Sequence, residues 1–162
     1  MRTVATVGVY GWTAGAFLDA LQTASVGLVL DVRQRRGVRG TAYAWANSVR
    51  LQAILADAGI AYRHHKELAP TTELRQLQYR ADARAGVGKR SRVELASEYR
   101  ELYTQEILDR VDVAPILAGL PVEAASALLC VERDPEACHR WLIAERLSID
   151  HGVAVSHLRP TA

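Results

Sequence analysis

Long apolar runs are missing from this 162-residue chain. None approaches the roughly 18–20 residues that a membrane-spanning helix needs, so the membrane is not its expected home. Cysteine is scarce too. Cys130 and Cys138, eight positions apart, make no disulfide framework, and the opening Met-Arg-Thr-Val-Ala-Thr-Val-Gly reads as a strand, not a signal peptide. A cytoplasmic protein with reduced thiols is the expectation. An excess of charge of one sign is also absent. Lys plus Arg number 20 against 18 for Asp plus Glu, and a net charge of +2 is too small to argue for nucleic acid without local clustering. There is no internal repeat and no low-complexity segment. What is there is an apolar fraction of 49%, enough to fill one core without a metal or disulfide staple, so a single domain is expected over 1–162.

Apolar segments alternate with helical patterns along the chain. Val4 to Tyr10 is β-rich and ends in Gly11; Thr13 then caps a helix with Phe17, Leu18 and Leu21 at helical spacing. Val26 to Val32 is an unbroken apolar run of the kind buried on both faces of a parallel sheet. A helix over Ala46 to Ala58, stopped by Gly59, precedes a short strand from Ile60 to His65. The stretch at about 66–92 reads as a loop or helical insertion, with a short capped helix near Pro70–Leu74 and a loop at Ala85–Gly88. Helical pattern returns over Val93 to Val113, a strand follows at Ala125 to Val131, and Asp134-Pro135 start a last helix to about Ile149 before a strand ending at His157. This predicts an α/β fold: an open, mostly parallel sheet of about five strands with helices on both faces. In such sheets ligands sit beyond the carboxyl ends of the strands.

The chemistry-bearing residues cluster at those ends. Cys130-Val-Glu132 leaves a strand, and Cys138-His139-Arg140 follows in a helix whose positive end favours anions and can lower a thiol pKa. On a helix these three side chains project about 100° apart, so at most two face one pocket. Cys138 is the candidate nucleophile, Arg140 an anion clamp, and His139, Asp31 or Glu132 a proton-handling group. Glu132 could also accept a hydrogen bond from Arg140; the plainer readings are a packed thiol for Cys138 and, for Glu132, a carboxylate that satisfies the turn's N–H groups. Alternation turns Asp31 and Arg33 to one side, as an orienting pair with a clamp or as a structural ion pair. Tyr10 and one of His64 and His65 are further candidate ligand contacts from their positions at strand ends, and Arg36 is another from the basic loop that follows the second strand.

Four arginines fall within Arg33–Arg39, with Tyr43 and Trp45 behind them, a mixture suited to phosphate contacts plus base stacking. Gly86-Val-Gly88-Lys89-Arg90-Ser91 lacks the spacing of a phosphate loop and reads instead as a basic lid. A metal site could be drawn from His64 or His65 with Asp31, Glu132, Cys138 and His139, but no Cys-x-x-Cys or His-Glu-x-x-His spacing supports it; no cofactor is expected.

The chain resembles the bacterial and archaeal family called domain of unknown function 488. The likeness rests on Val7-Gly-Val-Tyr10-Gly-Trp-Thr13, Leu30-Asp-Val-Arg33, Ala58-Gly-Ile-Ala-Tyr62, and Leu129-Cys-Val-Glu132 with Cys138-His-Arg140. It implies a compact α/β fold with the Asp-x-Arg and Cys-His-Arg elements at one end of the sheet, and no activity. Leu30-Asp-Val-Arg33 also looks like the Asp-Val-Arg strand of sulfur-transferring rhodanese domains. Cys130 is not followed by the Cys-x5-Arg loop of the related phosphatases, since position 136 is Glu. Three functions stay open: an enzyme-like domain binding an anionic or phosphorylated ligand or nucleotide, a non-catalytic nucleic-acid-binding module using the loop at 33–40, and a metal-dependent hydrolase.

Overall fold

A computed structural model describes residues 2–161. Among these, five parallel strands form one sheet in the order β3-β2-β4-β1-β5, with β1 at Thr3–Val7, β2 at Val26–Asp31, β3 at Ala61–His64, β4 at Ala125–Leu129 and β5 at Ala154–His157. The helices are α1 (Ala14–Thr23), α2 (Ser48–Asp57), α3 (Thr72–Ala85), α4 (Ser97–Tyr103), α5 (Ala114–Ala118) and α6 (His139–His151). No helix of the described residues is long and apolar enough to cross a membrane. The expected open parallel α/β sheet is the one found.

Burial explains which segments became which strands. β4 is buried at every position, as a central strand covered on both faces must be, whereas edge strands β3 and β5 alternate exposed and half-buried. The Thr13 hydroxyl accepts from Ala16 N and starts α1; Thr71 does the same for α3 through Leu74 N. Several boundaries differ from the sequence expectations. The stretch near Pro70–Leu74 opens a continuous 14-residue helix, ended by Gly86 in the left-handed conformation that closes helices cheaply only with glycine. The helix expected from Val93 begins at Ser97 and ends in a π-type turn at Thr104–Leu108. Most consequential, Asp134 and Pro135 start only a single 3-10 turn, and α6 begins at His139 with Cys138 as its extended N-cap residue.

Strand order also locates the crevice. The chain moves one way across the sheet from β1 to β2 to β3 and the other way from β3 to β4 to β5. Right-handed crossovers therefore set α1 and α2 on one face and α3 to α6 on the other. Neighbours β2 and β4 send their chains to opposite faces, and a cleft opens beyond their carboxyl ends. Their register, Asp31 beside Leu129, brings Asp31-Val32-Arg33 alongside Cys130-Val131-Glu132, and Val32 N donates to Leu129 O at 3.1 Å. The end of β1 closes on the same turn, since Val9 N and Tyr10 N both donate to Val131 O at 3.0 Å. Gly8 makes this approach feasible: a Cβ there would lie 1.8 Å from the Glu132 carbonyl oxygen. Gly8→Ala is therefore expected to destabilise the fold by about 3 kcal/mol, the upper range for overpacking, read as a lowered urea midpoint.

Candidate functional site

At the end of β2 the Asp31 carboxylate is fully enclosed. Arg33 Nε and Nη2 donate to it at 2.9 and 2.8 Å, Tyr62 Oη donates at 2.6 Å, and Arg33 Nη1 donates to Ala46 O at 2.9 Å. With side chains 0% and 1% exposed, this bidentate pair is buried, and each nitrogen of the Arg33 guanidinium already donates to Asp31 or to the Ala46 carbonyl. Arg36 sits behind it, donating to Tyr62 Oη at 3.3 Å. His64 bonds the Arg33 carbonyl through Nε2 at 2.9 Å, and His65 pairs with Glu67 at 2.6 Å. The alternation that turned Asp31 and Arg33 to one side thus built a structural ion pair.

The end of β4 carries the reactive groups. Because Cys138 precedes the first turn of α6 in extended backbone, both it and His139 face inward, and Arg140 faces away. Arg140 donates to the carbonyls of Glu132 at 2.7 Å and Arg133 at 3.2 Å, tying the β4 turn to α6 beside Gly8. The His139 ring bonds Val32 O through Nε2 at 2.8 Å, and a carbonyl only accepts, so Nε2 carries the proton. Nδ1 is left to face sulfur, 3.7 Å from Cys130 Sγ and 3.7 Å from Cys138 Sγ. Tyr103 packs against the imidazole with ring centroids 5.5 Å apart.

Electrostatics separates the two thiols. Burial pushes Cys130 well above the ordinary thiol range, and the hydrogen bond it donates to Cys138 adds to the shift. Burial opposes ionisation of Cys138 as well, but the bond from Cys130 and the charges of His139 and Arg140 outweigh it and hold Cys138 well below that range. Burial and then the Cys138 charge raise Glu132, against the pull of Lys89 and Arg92. Burial disfavours the His139 imidazolium, but the charge and hydrogen bond of Cys138 raise it above its usual value.

Glu132 is held by a buried network that local sequence does not announce. Arg92 donates to Glu132 Oε1 at 2.9 Å, to Asp82 Oδ2 at 2.7 Å and to the Ala137 carbonyl at 3.1 Å, and Gln78 donates to Asp82 Oδ1 at 2.8 Å. Glu132 Oε2 remains 3.6 Å from Cys130 Sγ.

Cys130, Glu132, Cys138 and His139 line a cavity of about 50 Å³. Beyond it lies a wider groove of about 710 Å³, lined by Tyr10, Arg35, Arg39, Arg75, Lys89 and Arg90 among others. Arg35, Arg75, Tyr79 and Lys89 border both spaces. The 86–91 loop accordingly lies over the site, with Arg90 stacked 4.7 Å from the Tyr10 ring centroid and 5.3 Å from that of Tyr43. Of the expected residues, Cys138, His139, Glu132 and Arg33 border the cavity and Tyr10 the groove. Asp31, Arg36, Arg140, His64 and His65 line neither. Cys130 was missed as a site residue, although its alternation with Glu132 at a strand end was the available signal. Arg92, Asp82 and Lys89 carried no comparable signal.

A doubly wound α/β domain with a buried thiol–imidazole–carboxylate centre at its switch point is the class this arrangement defines. The chain belongs to the family described as domain of unknown function DUF488, whose model matches residues 13–147. No curated protein and no solved structure matches it.

Removing Arg92 would leave two acids buried without their partner. Arg92→Leu is expected to cost about 3–5 kcal/mol by urea denaturation, and a loss below about 1 kcal/mol would show that the network is not holding Glu132.

Proposed function

We propose that this domain binds an anionic, phosphate-bearing ligand in the basic groove and presents its reacting group to the cavity formed by Cys130, Cys138, His139 and Glu132. The observation that carries this reading is the shared border of the two spaces. A small chamber holding sulfur, imidazole and carboxylate opens where Arg35, Arg75 and Lys89 stand, so cations line the approach to the reactive groups. Lys89 suits this place: burial works against its charge, but Glu132 keeps its pKa raised and the ammonium protonated. In this reading Asp31, Arg33 and Arg140 shape the site: Asp31 and Arg33 bond each other, and the two Nη groups of Arg140 donate to the Glu132 and Arg133 carbonyls. The anion contacts fall to the groove cations.

The nucleic-acid reading has less support from the aromatic residues it invoked. Trp45 packs on Phe17 with centroids 4.8 Å apart, and Arg90 lies over Tyr43. Base stacking there would need Arg90 to move.

Isothermal titration with pyrophosphate as the probe tests the proposal. Binding should weaken as sodium chloride is raised, and Arg75→Ala and Lys89→Ala should each weaken it roughly tenfold, the loss expected for one hydrogen bond to a charged group. No binding, or binding indifferent to both variants, would overturn it. Tighter binding of a single-stranded oligonucleotide that depends on Arg35, Arg36 and Arg39 would favour the nucleic-acid module instead.

A further inference from the structure

The cavity floor contains one grouping that anion binding does not use. Cys130 Sγ, Cys138 Sγ and a nitrogen of His139 all lie within 4.8 Å of one another, and all three residues are buried. We propose that these three side chains form a binding site for a thiophilic divalent metal ion, zinc in the first instance, with a fourth coordination position open to the cavity.

The spacing fits such an ion. Tetrahedral zinc with bonds of about 2.3 Å to sulfur and about 2.1 Å to nitrogen requires sulfur–nitrogen separations of about 3.6 Å. Both sulfurs stand 3.7 Å from His139 Nδ1. The imidazole is also set up as ligating histidines are. Its Nε2–H donates to the Val32 carbonyl at 2.8 Å, which fixes the tautomer and ring angle and points the free lone pair of Nδ1 at the sulfurs. Tyr103 against the ring further limits its rotation.

The donor set selects the metal. Two sulfurs and an imidazole favour zinc and its soft or borderline neighbours over magnesium and calcium, which take oxygen. Three protein ligands with one open position is the arrangement of catalytic sites, whereas structural zinc is closed by four. The fourth direction here faces the chamber that Glu132 also lines. Arg92 anchors Glu132 Oε1, and Oε2 stays within 3.6 Å of Cys130 Sγ, close enough to accept a hydrogen bond from a water on the ion or to complete its shell. The residues differ from those the sequence suggested. Asp31 is consumed by Arg33 and Tyr62, His64 by the Arg33 carbonyl, and Cys130 takes their place.

This site stands independently of the anion-binding reading, since it uses none of the groove cations. The test uses the full chain stripped of metal under reducing conditions and titrated with zinc or cobalt(II). The expected result is one ion per chain by elemental analysis. The cobalt form should show the intense visible bands of a tetrahedral site and a near-ultraviolet sulfur-to-cobalt charge-transfer band. Cys130→Ser should weaken zinc binding at least about 100-fold, the upper end of what losing even an outer partner costs. Should that variant fail to fold, X-ray absorption on the wild-type zinc form replaces it, with two sulfur and one nitrogen scatterers expected in the first shell. Failure to take up an ion, a cobalt form without charge transfer, or a first shell without sulfur would overturn the proposal. Pyrophosphate titration of the metal-free and zinc-loaded chains separates the two proposals, because loss of either leaves the other measurable.

Discussion

The imidazole of His139 bridges the seam between the ends of β2 and β4, and the rest of the site is arranged around that bridge. Its Nε2 is committed to the Val32 carbonyl on one strand end, so its Nδ1 must face the sulfurs that the other strand end and the α6 N-cap supply. One hydrogen bond thus sets the tautomer, the ring orientation and the direction of the only free lone pair. It also explains why Cys138 and His139 cooperate although they are adjacent in sequence. Cys138 lies just outside the helix, in extended backbone, and the 100° separation of consecutive helical residues does not apply between them.

Around this centre the fold keeps an unusual amount of charge away from water. Asp31 with Arg33, and Asp82 and Glu132 with Arg92, are buried as hydrogen-bonded ion pairs. Arg140 is buried against carbonyl groups. Desolvating such groups is costly, and pairs of this kind commonly add little net stability against well-packed apolar replacements. Their value here is positional. Each ties segments distant in sequence to the switch point: Arg33 holds the β2 end to the Ala46 carbonyl, Arg92 draws the 86–96 loop onto Glu132 and the Ala137 carbonyl, and Arg140 closes the turn after β4. The outcome is a small polar chamber with firm walls beside a wider groove whose cations remain accessible.

Much of the fold was legible in the sequence. The unbroken apolar run Val26–Val32, the capped helix after Thr13 and the β-rich Ala125–Val131 each report a local requirement, burial on both faces or a backbone N–H that needs a partner, and each was found close to where it was expected. The site was legible in part. Cys138, His139 and Glu132 line one cavity, because strand ends and helix starts converge in this architecture. Asp31, read as a proton-handling group, is bonded by Arg33 and Tyr62, and Arg140, read as an anion clamp, donates to two backbone carbonyls, since nothing local shows whether a guanidinium or carboxylate already has partners. Cys130 was not among the expected site residues, and the boundaries near Pro70 and Pro135 misled because one proline can open either a long helix or a single 3-10 turn.

By itself, then, the sequence determined the α/β alternation, the parallel sheet and the edge at which chemistry collects, because hydrophobic periodicity and capping are written in neighbouring residues. Tertiary structure alone decided which charges pair, which thiol joins Cys138 and His139, and that Arg92, 40 positions before Glu132, holds that carboxylate in place. Those outcomes depend on strand order and on the pairing of buried polar groups across segments remote in the chain, and no local pattern encodes such a requirement.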